Sequence, residues 1–121
     1  MSRWLFKTEP SAYSYERLAK ERRTVWDGVA NPLALKHLRQ VKKGDEIAIY
    51  HTGSVKAVVG LAKAAADARG DSVEIVPLQA VGPVSLASIK ADARFKDFPL
   101  VRMGRLSVMP VPGALWKVLT K

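Results

Sequence analysis

Trp26-Asp27-Gly28-Val29-Ala30-Asn31 is the stretch on which the rest of the chain turns. A large ring stands beside a carboxylate, glycine lets the chain swing, and asparagine is a favoured opener for a helix. That grouping suits a loop presenting a flat ring and hydrogen-bonding groups to something planar. The architecture it implies is a small barrel that holds this loop against the strand Arg3-Trp4-Leu5-Phe6-Lys7-Thr8-Glu9.

Downstream, Asn31 as N-cap and Pro32 as first helical residue predict a helix over residues 32–41. Ala34, Leu35, Leu38 and Val41 fall at helical spacing, and Lys36, His37, Arg39 and Gln40 occupy the other side. Lys42 and Lys43 follow, making this the densest basic surface in the chain and the candidate phosphate contact: Lys36, Arg39, Lys42 and Lys43. Upstream, Ser14 reads as the cap of a short helix over 15–20, with Tyr15, Leu18 and Ala19 facing inward. In the strand before it, period-two alternation puts Trp4, Phe6 and Thr8 on one face and Leu5, Lys7 and Glu9 on the other. Pro10 ends that strand, because proline lacks a ladder donor.

Further along, strands are expected over 46–51, 56–65, 73–81 and 106–111, with turns at Gly44-Asp45, Thr52-Gly53 and Gly70. Pro77 inside the third of these argues for an edge or a bulge. Ser85 caps a short helix carrying Leu86 and Ile89, and residues 113–119 form a closing helix with Leu115, Trp116 and Leu119 inward. The fold class is α+β. About five strands in so short a chain favour a small mixed β-barrel with short peripheral helices, since closure removes exposed edges.

A length of 121 residues fits one domain, residues 1–121, with a single core. Lys and Arg number 20 against 11 Asp and Glu, a net charge of +9. Such an excess favours a polyanionic partner, because basic side chains displace the counterions condensed on phosphates. There is no cysteine, which removes disulfides, thiolate catalysis and sulfur-ligated zinc. The run Trp4-Leu5-Phe6 is too short for a secretory signal, and nothing approaches the ~18 apolar residues of a membrane span. No membrane association is expected, and the cytoplasm is the expected compartment.

Signatures of nucleotide-binding loops, serine hydrolases and zinc proteases are all missing. With two histidines and no cysteine, neither a metal nor any other cofactor is expected. His37 reads as solvated. His51, beside Tyr50 at a strand end, suits either a structural hydrogen bond or ligand contact. Trp4 and Trp116 lack polar neighbours and read as core. Trp26 has two readings, a core plug or a ring with one open side, and the polar pair Asp27 and Asn31 favours the second. Lys7 must snorkel outward or find a partner, either Glu9 or a ligand.

Taken together, residues 4–10 (Trp-Leu-Phe-Lys-Thr-Glu-Pro), residues 26–31, Tyr50-His51 and Leu106-Ser107-Val108-Met109-Pro110-Val111 resemble the EVE domain family of the PUA-like superfamily. The resemblance implies a PUA-like β-barrel and kinship with YTH domains, which hold a methylated adenine of RNA in an aromatic cage. It also implies a non-enzymatic module whose partner is DNA or RNA carrying a modified base. Trp26 would then be the stacking wall, and Lys7-Thr8 the strand edge at base or backbone. Asp27, Gly28, Val29 and Asn31 would shape the pocket floor, Tyr50 and His51 its far side, and Ser107 its rim. Pro32-Leu33-Ala34-Leu35 and Met109 depart from the family's usual residues, and no tryptophan stands between Trp26 and Trp116, so no second cage wall is visible. Two other classes fit less well. One is an ASCH-like amidohydrolase acting on a modified nucleoside, for which Lys7, Thr8 and Glu9 supply the residue types. Adjacent strand positions do not all point into one pocket, however. The other is a protein-interaction module whose charge serves solubility.

Overall fold

The computed structural model describes residues 2–120. In chain order the elements are β1 (Arg3–Thr8), α1 (Tyr15–Glu21), β2 (Thr24–Trp26), α2 (Pro32–Leu38), β3 (Glu46–His51), β4 (Ala57–Ala64) and β5 (Val73–Ser85). After β5 come α3 (Leu86–Ala91), a 3-10 turn over Ala93–Phe95, α4 (Pro99–Arg102), β6 (Val108–Pro110) and α5 (Gly113–Leu119). The strands form one sheet in the order β2-β5-β4-β3-β1-β6. Among the described residues only β1 and β3 run parallel, with Arg3 opposite Glu46 and Thr8 opposite His51. A parallel pair needs a long crossover, and here it carries α1, β2 and α2. The sheet curls into a half-barrel closed by short helices, a PUA-like architecture. Among the described residues no helix is long and apolar enough to cross a membrane.

The middle of β1 is buried on both faces, as a strand flanked by β3 and β6 requires. Beside its start, the buried Asp45 carboxylate accepts from Trp4 Nε1 at 2.9 Å, Ser2 N at 3.1 Å and Lys42 N at 2.9 Å. One side chain thus ties the first strand to the turn that follows α2.

Four expectations change. The sheet has six strands instead of about five, because Thr24–Trp26 pairs antiparallel with Val73–Ile75. Three residues are too few to show alternation, and their partner lies far along the chain. The helix expected over 32–41 ends at Leu38, where Gln40 N and Val41 N donate back to His37 and Leu38 in tight turns. Val41 is nonetheless fully buried. The ladder of the last strand covers only Val108–Pro110, with Lys7 N donating to Ser107 O and Val111 N to Arg3 O at its ends. Ala19 is exposed and not turned inward. Pro77 lies where expected: it faces Ala62 across a register shift in the β4–β5 pairing.

Candidate nucleic-acid interface

A cleft of about 400 Å³ lies between the edge strand β2, with the loop after it, and the end of β1. Lys7, Thr8 and Glu9 from the end of β1 form one side, with Ser107 beside them. Thr24, Val25 and Trp26 of β2 and the loop through Asp27, Gly28, Val29 and Ala30 form the other. Gly28 has φ +74°, a left-handed angle that glycine adopts without strain, and a Cβ there would touch nothing. The loop therefore needs glycine for its turn and not for space.

Trp26 is both a core residue and a cleft wall. It is 9% exposed, packs on Phe6 with ring centroids 5.4 Å apart, and lines the cleft with what remains. Tyr13 stands edge-on to it at 6.0 Å and lines the same cleft. Tyr13 is a lining aromatic that the sequence alone does not single out, because only the second tyrosine of Tyr13-Ser14-Tyr15 lies on the helix. The Tyr13 hydroxyl donates to Glu21 at 2.7 Å, and the Arg17 guanidinium covers its ring at 5.1 Å. Burial, aided by the Glu21 carboxylate, holds the Tyr13 phenol above its usual pKa.

The remaining predicted residues divide. Asp27 is exposed with no hydrogen bond among the described residues, and Val29 leans on the core. Asn31 lies outside the cleft lining, its side chain accepting from Leu33 N and Ala34 N at 3.0 Å as the cap of α2. His51 also lies outside; it is 8% exposed, and its Nε2 accepts from Tyr15 N at 3.0 Å. Burial lowers its pKa, although Glu16 and Glu9 oppose this. Tyr50 faces a separate pocket on the other side of Lys7. His37 is half-buried, its ring beside Trp4 with centroids 6.3 Å apart. Its pKa is lowered by burial and by neighbouring Lys36.

Lys7, Thr8 and Glu9 all line the cleft, but their polar atoms diverge, as strand pleating leads one to expect. Each polar group already has a partner. Lys7 Nζ donates to Gly104 O at 3.2 Å, Thr8 Oγ1 to Tyr13 O at 2.7 Å, and Glu9 accepts from Ser11 and Thr52. Lys7 is paired with a carbonyl and not with Glu9, and burial lowers its pKa. On the α2 side, Arg39 grips Asp71 through Nε at 3.0 Å and Nη2 at 2.5 Å, and Lys43 N donates to Asp67 at 2.8 Å. Two carboxylates thus stand against that basic face. Among the described residues no cluster of His, Asp or Glu is suited to a metal.

A curled mixed sheet forming a half-barrel, with short helices around it, defines a PUA-like fold. More narrowly, the chain belongs to the EVE domain family, whose model matches residues 2–121. Among solved structures, a protein of Rhodopseudomonas palustris is 31% identical with a TM-score of 0.92, covering 98% of this chain and 90% of its own. An Agrobacterium tumefaciens protein is 31% identical at 0.90, with the same coverage. The human THYN1 protein, solved in complex with 5-methylcytosine-containing DNA, is 23% identical at 0.90, covering 98% of this chain and 95% of its own. None of the curated proteins matches the chain.

Proposed function

We propose that this chain is a nucleic-acid-binding module that takes a modified base into the cleft beside Trp26. The observation carrying the proposal is the cleft itself, which has an indole in its wall, a second aromatic next to it, and space for a nucleobase in its 400 Å³. The net charge of +9 is consistent with a phosphate-bearing partner. So is the DNA complex of the human THYN1 protein, which shares this fold. The base is held by Trp26 and Tyr13. Lys7, Thr8, Ser107 and the Asp27–Val29 loop supply polar and steric contacts at its edge. Asn31 and His51 act indirectly, as cap of the helix and anchor of α1.

Stacking on an aromatic contributes about 1–3 kcal/mol per base and tolerates any base. Selectivity for a mark therefore comes from the cleft's shape and its polar groups. A buried methyl adds only about 0.8 kcal/mol, while an unpaired polar edge costs about 1–3 kcal/mol. Base extrusion from a duplex costs a few kcal/mol, so single strands bind more tightly than duplexes. The experiment is a comparison of oligonucleotides and nucleosides with and without a modified base. Binding without turnover, stronger for one modified form, supports the reading; equal, weak binding of all forms contradicts it. A second reading, hydrolysis of an acylated nucleoside, rests on Lys7, Thr8 and Glu9 sharing the cleft. Release of acetate from acetylcytidine would favour it.

A further inference from the structure

The cleft has a neighbour that the sequence did not reveal. On the far side of Lys7 lies a pocket of about 240 Å³ lined by Lys7, Lys56 and Lys90 together with Tyr50, Thr52 and Gly104. None of the three lysines makes an ion pair among the described residues. Lys7 and Tyr50 are cross-strand partners in the parallel pair, and the Lys7 amine stands 6.0 Å from the Tyr50 ring. Tyr50 is 3% exposed, yet its hydroxyl has no hydrogen-bond partner among the described residues. No buried side-chain oxygen or nitrogen is left unpaired, so that hydroxyl must open to solvent. Lys56 adopts φ +47°, a left-handed angle that costs a non-glycine residue about 1–2 kcal/mol. Its carbonyl accepts from Leu86 N at 2.7 Å, which fixes the start of β4 against the start of α3, the helix that carries Lys90.

We infer that this pocket binds an oxyanion, namely a backbone phosphate of the strand whose base enters the Trp26 cleft. Three ammonium groups and a free phenol hydroxyl are donors only or donor-capable, which suits phosphate oxygens. Lys7 lines both cavities, so base and phosphate are held on either side of a single side chain. The Glu9 carboxylate is occupied by Ser11 and Thr52 and sits at the Gly53 edge of the pocket. By contrast, the α2 face meets Asp67 and Asp71. The inference rests on the nucleic-acid reading of the cleft.

The test uses the full chain and a Lys56→Gly/Lys90→Gln variant. Both changes lie outside the base cleft, and glycine at 56 removes the amine where glycine itself is unstrained. Inorganic phosphate, titrated against sodium chloride of equal ionic strength, shifts the amide resonances of Gly53, Lys56 and Gly104 saturably in the native protein and not in the variant. Shifts no larger than those from chloride, or unchanged in the variant, overturn the pocket. With a single-stranded oligonucleotide carrying one 5-methylcytosine, the variant's slope of log K against log salt falls by about 0.7. Over one decade of salt that corresponds to roughly fivefold in affinity, while the ratio of modified to unmodified binding stays the same. Binding of the oligonucleotide with an unchanged slope overturns the inference and leaves the reading of the cleft intact. Uptake of phosphate without any oligonucleotide binding overturns the backbone assignment together with that reading.

Discussion

Trp26 was readable in the sequence as a ring with polar company, and its double duty was not. Nine-tenths of it is buried on Phe6 and Tyr13, so truncation removes core as well as cleft. Trp26→Ala is expected to lose about 3–5 kcal/mol of stability in urea unfolding, which makes it a poor test of binding. Trp26→Phe keeps much of the apolar contact and is expected to weaken base-dependent binding by about 1 kcal/mol, roughly fivefold. Tyr13 escaped notice because nothing in one sequence ties residue 13 to residue 26. His51 gives a pH prediction at the same scale. Its folded pKa lies below the ordinary value of 6.5, so between the two values the unfolded chain binds more protons. Stability is then full above about 6.5 and declines as pH falls below it, because burial disfavours the charged ring and a protonated Nε2 no longer accepts from Tyr15 N. His37 is shifted in the same direction. His51→Gln should therefore reduce, without abolishing, the stability difference between about pH 8 and about pH 5; an unchanged difference would clear His51 of the role.

At the scale of elements, capped helices were legible and short strands were not. Ser14, Asn31 and Ser85 each cap the helix their sequence announced, with side-chain oxygens accepting from the first turn. β2 was missed because a strand of three residues carries no period, and its pairing with Val73–Ile75 is a property of the sheet. The turn and helix at residues 93–102, with Phe95, Phe98 and Leu100 buried, were also missed, since neither segment is long enough to show helical spacing. β4 makes the sharpest prediction here. Its Gly60 lies under the Tyr15 ring, where an added Cβ would overlap the ring atoms, while the Tyr15 hydroxyl donates to Leu61 O at 2.7 Å. Gly60→Ala is expected to destabilise by about 1–3 kcal/mol. Combined with Tyr15→Leu, it should cost less than the sum of the two single changes, as coupled neighbours do. Strict additivity in chemical unfolding would show that ring and glycine do not meet.

Over the whole molecule, the sequence carried the class of fold because the end of β1, the Trp26 loop and Ser107 are the parts that frame the cleft. The order β2-β5-β4-β3-β1-β6 could not be read from one chain, because it depends on which strands distant in sequence pair with one another. Charge behaves in the same way. The count of +9 was visible, yet its placement was not: the crowded 36–43 face meets Asp67 and Asp71, whereas Lys7, Lys56 and Lys90 converge from distant parts of the chain. Lys36→Gln/Lys42→Gln should therefore change the salt dependence of DNA binding less than Lys56→Gly/Lys90→Gln does, and the reverse order would return the phosphates to the α2 face. The most direct measurement of the central claim follows the Trp26 indole N–H resonance, assigned through Trp26→Phe, during titration with a single-stranded oligonucleotide carrying one 5-methylcytosine. A base stacked in the cleft moves that resonance saturably, and further than those of Trp4 and Trp116. Saturable binding that leaves the Trp26 resonance in place would contradict it.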